Sequence, residues 1–224
     1  MLFAAGLGTR MGDLVADRPK PLVPVCGRPL IDHALEIASG AGIKNIVANV
    51  HYKADMLRAH LIPLGVQVAD ETEQLLETGG GLRAAAHLLG NGPVFTMNSD
   101  AVWSGNNPLT MLAQAWDPDR MDALLAVIPT AKASGHQGSG DFDLDDAVAP
   151  MARGSAFVYT GAQIIKTDEL ADIPQTAFSL NVLWQRMIEN ERLFGAVYDG
   201  DWCDVGSPQG LATAEMMKVR HSSV

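Results

Sequence analysis

The densest run of residues able to do chemistry lies in the first thirty positions, where AAGLGTRMGDLVADRPKPLVPVCGRPL carries Gly6, Gly8, Arg10, Arg18 and Lys20. An apolar opening, Leu2 to Ala5, runs straight into Gly6, Leu7, Gly8, Thr9 and Arg10. This is the pattern of a first strand ending in a loop whose backbone N–H groups face outward, where they can cradle a phosphate or a base edge. Lys20 stands between Pro19 and Pro21, so its backbone is stiff and its ammonium can be aimed. Together these residues suggest a site for a nucleoside triphosphate. The spacing excludes two familiar alternatives. Gly12 arrives one residue late for a G-x-G-x-x-G dinucleotide fingerprint, and no Gly-Lys-Ser/Thr follows to make a P-loop. Pro19, Pro21 and Pro24 also break any helix between residues 18 and 25, where a dinucleotide fold would begin its first crossover.

G-x-G-T-R-M over residues 6 to 11, followed by P-K-P-L-V-P-V-C-G-R-P-L-I, resembles the signature of the sugar-1-phosphate nucleotidyltransferases. Where the usual pattern continues with a proline and a threonine, this chain has Gly12, Asp13 and Leu14, a departure that leaves Arg10 and Lys20 in place. The resemblance implies transfer of a nucleotidyl group from a nucleoside triphosphate to a sugar 1-phosphate, with release of pyrophosphate. It also implies a Rossmann-like α/β fold of the nucleotide-diphospho-sugar transferase type. Bringing two anions together calls for a divalent cation and fixed cationic side chains. The cofactor implied is Mg²⁺, held by Asp100 in V-F-T-M-N-S-D and by Asp204 in W-C-D-V-G-S-P, 104 positions further on. Lys20 is expected on the α-phosphate and the incoming phosphate, and Arg10 on the β- and γ-phosphates.

The same resemblance assigns the nucleotide to Ala5, Gly6, Gly8 and Thr9 and to E-T-G-G-G-L-R, residues 77 to 83, where Thr78, Gly79 and Gly80 let the backbone approach a flat ring. Gln74 is expected to add a side-chain contact. Gly140 in G-D-F, Thr160 in Y-T-G and Asn181 in F-S-L-N stand where relatives contact the sugar or its phosphate. A short chain with these motifs most resembles the N-acetylmuramate-1-phosphate uridylyltransferases, with UTP as favoured donor. Mannose-1-phosphate guanylyltransferase is the alternative within the family, and a non-catalytic nucleotide-binding regulatory module is the alternative outside it. Decay of Lys20, Arg10 or either aspartate would favour the module, and all four are present.

These residues need a scaffold, and the hydrophobic pattern supplies one. Apolar residues Leu30, Ile31, Ala34, Leu35, Ile37 and Ala38 read as a helix stopped by Gly40 and Gly42, and residues 43 to 50 read as a buried strand. The alternation continues with helices at 53–62, 81–89 and 108–116 and strands at 66–70, 93–98 and 122–128. After residue 154 the pattern predicts a strand at 156–165, a helix at 180–190, a strand at 193–197 and a helix from about Pro208. Alternation of this kind predicts a mostly parallel twisted sheet with helices on both faces and ligands beyond the carboxyl ends of the strands. The glycine loop, His51, Asp70 and Asp100 all fall at such ends. Residues 131 to 154, polar and glycine-rich, interrupt the rhythm and read as a small β insertion or flap.

Composition bounds the remainder. The 224 residues, 47% of them hydrophobic, suit a single catalytic domain. Lys+Arg of 16 against Asp+Glu of 26 gives a net charge of -10, which argues against a nucleic-acid or anionic-membrane surface. No apolar run approaches membrane length and no signal-peptide pattern precedes the first strand, so a cytoplasmic protein, monomeric or a small homo-oligomer, is expected. Cys26 and Cys203 are too few for a disulfide framework and read as small packing residues.

Overall fold

The computed structural model describes residues 1–222. Strand β1 (Leu2–Phe3) is followed by two 3-10 segments, Thr9–Val15 and Lys20–Leu22, and by a small hairpin of β2 (Pro24–Val25) and β3 (Arg28–Pro29). The alternating part then runs α1 (Leu30–Gly40), β4 (Val47–Val50), α2 (Ala54–Leu61), β5 (Gln67–Asp70), α3 (Glu77–Leu89) and β6 (Val94–Asn98). It continues with β7 (Ala101–Ser104), α4 (Pro108–Ala115) and β8 (Ala123–Pro129). The glycine-rich interruption folds as three short strands, β9 (Phe142–Asp143), β10 (Val148–Pro150) and β11 (Ala152–Arg153). The chain ends with β12 (Phe157–Ile165), α5 (Asn181–Glu189), β13 (Leu193–Val197), β14 (Asp201–Asp204) and α6 (Pro208–Ser222).

The main sheet has the order β10-β13-β8-β12-β6-β1-β4-β5. Strands β6, β1, β4 and β5 are parallel, as is the β13–β8 pair, whereas β12 runs antiparallel to both its neighbours. The sheet is therefore mixed and mostly parallel. Period-two alternation sends Leu124, Ala126 and Ile128 of β8 into a core with Ile31 of α1, Leu57 of α2 and Leu112 of α4. The other face of the same strand, Ala123, Leu125 and Val127, packs with Leu82 of α3 and Leu183 and Trp184 of α5. Helices thus cover both faces, which is why β8 is buried over six consecutive residues and reads as an unbroken apolar run.

Two boundaries differ from the sequence pattern. The strand expected over residues 43–50 is confined to Val47–Val50, because Ile43 closes the end of α1 by donating its N–H to the Ala38 carbonyl. Helix α3 begins at Glu77 rather than at residue 81, so the three glycines lie inside it. Glycine is a poor helix former by about 1 kcal/mol per residue, yet the N–H groups of Gly79 and Gly80 donate to the Phe178 carbonyl at 2.8 and 3.1 Å. Tertiary packing overrides propensity here. Of the two cysteines, Cys203 is buried, with its thiol pushed up to about 12, while Cys26 is exposed.

Candidate active site

Strand β1 has β4 on one side and β6 on the other, because the chain winds outward from β1 through β4 to β5 and then crosses back to the opposite side at β6. A crevice opens beyond the carboxyl ends at such a switch point. Here the opening is a cavity of about 380 Å³. The glycine loop enters it directly: Ala4 and Ala5 are buried and Gly6 is exposed on the lining. Met11 is fully buried with Val15, Val23 and Val25 under the loop, while Arg10 beside it is exposed. The Arg-Met pair therefore divides its work between presenting a cation and anchoring the loop that carries it.

Lys20 is 8% exposed, and its Nζ donates to Asp100 Oδ2 at 2.7 Å. The glycine loop rests on its stem, since a Cβ added to Gly8, already at φ 65, would lie 2.9 Å from Lys20 Cβ. Asp100 sits in the bend between β6 and β7. Strand β14 pairs antiparallel with β7, placing Asp204 opposite Ala101, and the Val205 N–H donates to the Asp100 carbonyl at 2.9 Å. Two aspartates far apart in sequence are thereby delivered to one spot. A Cβ added to Gly206 would stand 2.8 Å from Asp204 Oδ2 and 2.9 Å from Arg10 Nη2, so both side chains converge over this glycine. Burial, reinforced by the neighbouring Asp100 carboxylate, holds the Asp204 carboxyl above the ordinary carboxylate range, although Lys20 and Arg10 pull the other way. A partly buried carboxylate pair that the two cations leave short of compensation is a donor set suited to a divalent metal.

An adjoining cavity of about 240 Å³ shares Phe3, Thr78, Asn98 and Ser179 with the first. Ala5, Gly6, Thr78 and Asp100 line the larger space, and Asn181 lines the smaller one. Thr9 and Arg10 are exposed on the loop beyond Gly8. Gln74 is exposed, and its N–H turns back to the Glu71 carbonyl.

Four of the expected contact residues sit elsewhere for clear physical reasons. Gly79 and Gly80 are buried beneath the cleft, where a Cβ on Gly79 would collide with the Phe178 ring and one on Gly80 would lie 2.5 Å from the Thr176 carbonyl. Their glycines serve close packing of α3 against residues 176–178, and their N–H groups are already spent on Phe178. Thr160 is 1% exposed, its Oγ1 donating to the Ala126 carbonyl at 2.6 Å, so its hydroxyl faces the core and not the smaller cavity. Gly140 lies one residue before Asp141, which does line the smaller cavity, and the Ser155 carbonyl closes the space over it. Gly79→Ala is expected to cost about 1 to 3 kcal/mol of stability by overpacking, read from a thermal or urea melt; an unchanged midpoint would mean that Phe178 moves freely aside.

The cleft also contains residues that the motifs did not single out. Asn49 on β4 accepts the Ala4 N–H at 2.7 Å and donates to Glu71 Oε1 at 2.8 Å, and Glu71 Oε2 accepts the Leu76 N–H at 3.0 Å. Both residues are 3% exposed and both line the larger cavity. They tie the glycine loop to the segment leading into α3. The available signal was an asparagine in the buried strand V-A-N-V, because a buried polar side chain must find partners. Asn49→Ala leaves the Ala4 N–H and Glu71 without their partner, and should cost about 1 to 3 kcal/mol together with a raised KM for nucleotide. A variant with wild-type melting and KM would remove the tie from the site. The Nδ1–H of His51 donates to the Glu71 carbonyl at 2.6 Å, a structural role. Trp103 packs edge-on to Tyr198 in the core.

The fold and this constellation define a nucleotidyltransferase, and comparison with known proteins agrees. Residues 1–155 match the MobA-like NTP transferase domain, and the chain belongs to that family. Among curated proteins it is similar to N-acetylmuramate alpha-1-phosphate uridylyltransferase of Caulobacter vibrioides, with 42% identity covering 96% of this chain and 94% of that one. It is also 30% identical to the protein of that name from Neisseria meningitidis serogroup B, over 97% of this chain and 96% of the relative. A mannose-1-phosphate guanyltransferase of Hypocrea jecorina is 25% identical, with 61% of its length covered. Among solved structures, HddC from Yersinia pseudotuberculosis complexed with GMP-PN superimposes with a TM-score of 0.75 at 22% identity, covering 97% of each chain. An apo UDP-glucose pyrophosphorylase does so with 0.77 at 17% identity, covering 99% of this chain and 98% of that one. Those two likenesses concern the fold.

Proposed function

We propose that this nucleotidyltransferase transfers UMP from UTP to N-acetylmuramate 1-phosphate, working as one catalytic domain in the cytoplasm. The observation that carries the reading is the near full-length 42% identity to the Caulobacter uridylyltransferase, joined to a site in which Arg10, Lys20, Asp100 and Asp204 converge. That convergence also weighs against a module that has lost its chemistry. No helix among the described residues is long and apolar enough to cross a membrane.

In the reaction a phosphate oxygen of the sugar 1-phosphate attacks the α-phosphorus, the bond from that phosphorus to the bridging oxygen breaks, and pyrophosphate leaves. The attacking and leaving oxygens must lie in line while negative charge collects on the transferred group. Lys20, fixed by Pro19, Pro21 and Asp100, supplies a positive charge at the cleft that needs no reorganisation during the reaction. Arg10, on the exposed loop, would take the β- and γ-phosphates. Asp100 and Asp204 would hold Mg²⁺, whose charge would offset that of the phosphate oxygens. Ala5, Gly6 and Thr78 line the space for the nucleoside, and Asn181 that for the sugar.

The test is pyrophosphate release with Mg²⁺, offering UTP, GTP, dTTP and CTP against N-acetylmuramate 1-phosphate, mannose 1-phosphate and glucose 1-phosphate. Preference for UTP with N-acetylmuramate 1-phosphate is the expected result. Preference for GTP with mannose 1-phosphate would replace it with the guanylyltransferase reading, and nucleotide binding without turnover of any pair would favour the regulatory module.

A further inference from the structure

We propose that Arg153 reads a carboxylate on the acceptor sugar, namely the lactyl acid that distinguishes N-acetylmuramate from N-acetylglucosamine. The inference rests on the functional reading above and gives the β9–β11 flap a role in acceptor choice.

Arg153 lies at the end of β11, paired across from Phe142 of β9, and lines the smaller cavity next to the nucleotide cleft. It is the one cationic side chain on that lining, in a chain of net charge -10. Its guanidinium is held in place: Nη2 donates to Asn181 Oδ1 at 3.0 Å, and the group sits 4.9 Å from the centre of the Phe142 ring. Neither partner is an anion. The carboxylates nearest in sequence are engaged by backbone, since Asp143 Oδ1 accepts the N–H groups of Ser155 and Ala156 and Asp141 Oδ2 accepts that of Tyr159, each at 2.9 Å. Arg153 has no ion-pair partner among the described residues. An oriented arginine with free donors is suited to bidentate recognition of a carboxylate.

The alternative anion, the reacting phosphate, belongs at the other compartment. Asp100 lines the larger cavity and holds Lys20 there, whereas neither lines the space in front of Arg153. An acceptor whose phosphate meets Lys20 would therefore extend its ring and substituents past Asn98 and Ser179, which line both spaces, toward Arg153. N-acetylmuramate 1-phosphate and N-acetylglucosamine 1-phosphate share the phosphate, ring and acetamido group and differ in the lactyl ether, so the pair isolates this contact.

The experiment measures kcat/KM with UTP for both acceptors in the wild type, Arg153→Gln and Arg153→Lys. A charge-assisted contact of this kind should make the wild type prefer N-acetylmuramate 1-phosphate by roughly 10- to 100-fold. Arg153→Gln should collapse that ratio toward one, mainly through KM for the lactyl acceptor, and Arg153→Lys should restore part of it. Equal losses on both acceptors would place Arg153 on the shared phosphate or in flap structure and overturn the inference alone, as would an unchanged ratio. A wild type that ignores N-acetylmuramate 1-phosphate would overturn the proposed function and this inference together.

Discussion

Asp204→Asn is expected to abolish turnover, by roughly 10²- to 10³-fold or more, while melting no lower than the wild type in metal-free buffer. The two halves of this result have one cause. Asp204 is drawn from solvent next to Asp100, and its carboxyl titrates above the ordinary range through burial first and Asp100 second. A raised pKa means that the folded protein holds the proton more tightly than the unfolded chain does. Stability is then greatest below the unfolded value, falls as pH rises through the folded one, and stays lower at neutral pH. An asparagine keeps the shape without the charge and so escapes that deficit, but it removes half of the carboxylate pair that suits Mg²⁺. Melting curves with and without Mg²⁺, beside the rate of pyrophosphate release, check both halves. The wild type should gain stability from Mg²⁺ and the variant should not. Ordinary Mg²⁺-dependent turnover in the variant would take Asp204 out of the metal site, and a lower metal-free melting point would show that the fold stabilises its charge.

Lys20→Ala should slow synthesis and pyrophosphorolysis together, again by about 10²- to 10³-fold, because a fixed charge serving the transition state serves it from both sides. Stability should suffer too. Lys20 is almost fully buried, and removing it leaves Asp100 facing Asp204 without the ammonium between Asp100 and the glycine loop. Breaking a buried pair costs about 3 to 5 kcal/mol. The Asp100 side chain remains 33% exposed, so solvent screening reduces the expected loss to about 1 to 3 kcal/mol. The double variant Lys20→Ala/Asp100→Asn should recover much of that stability and none of the activity, a coupling that a double-mutant cycle measures. Unchanged rates in the single variant would make Lys20 a structural cation only.

The charged centre was legible in the motifs because its residues are tied to backbone signals that are themselves local. Prolines on both sides of Lys20, a buried strand running up to Asp100 and the W-C-D-V-G-S-P run around Asp204 mark positions that no surface role demands. The lining was less legible. Gly79 and Gly80 look identical in sequence to glycines that admit a base, and the close approach of Phe178 to the first and of the Thr176 carbonyl to the second, about a hundred residues later, is what assigns them to packing. Thr160 is likewise polar and next to a glycine, yet the bulge in β12 between Tyr159 and Gln163 turns it to the core.

Local pattern thus determined the alternation of strands and helices and the glycine loop, since each depends on neighbours a few positions away, and the motif resemblance singled out four charged residues for phosphate chemistry. It could not determine that β12 would run antiparallel between β8 and β6, or that β14 would pair with β7 and bring Asp204 to Asp100. Nor could it place Asn49 and Glu71 between the glycine loop and α3, or Arg153 on the lining of the smaller cavity. Those relations join segments tens to a hundred residues apart. Strand order and the direction a side chain faces are settled when whole layers pack, because burying both faces of the sheet selects among pairings that are equivalent to any single segment.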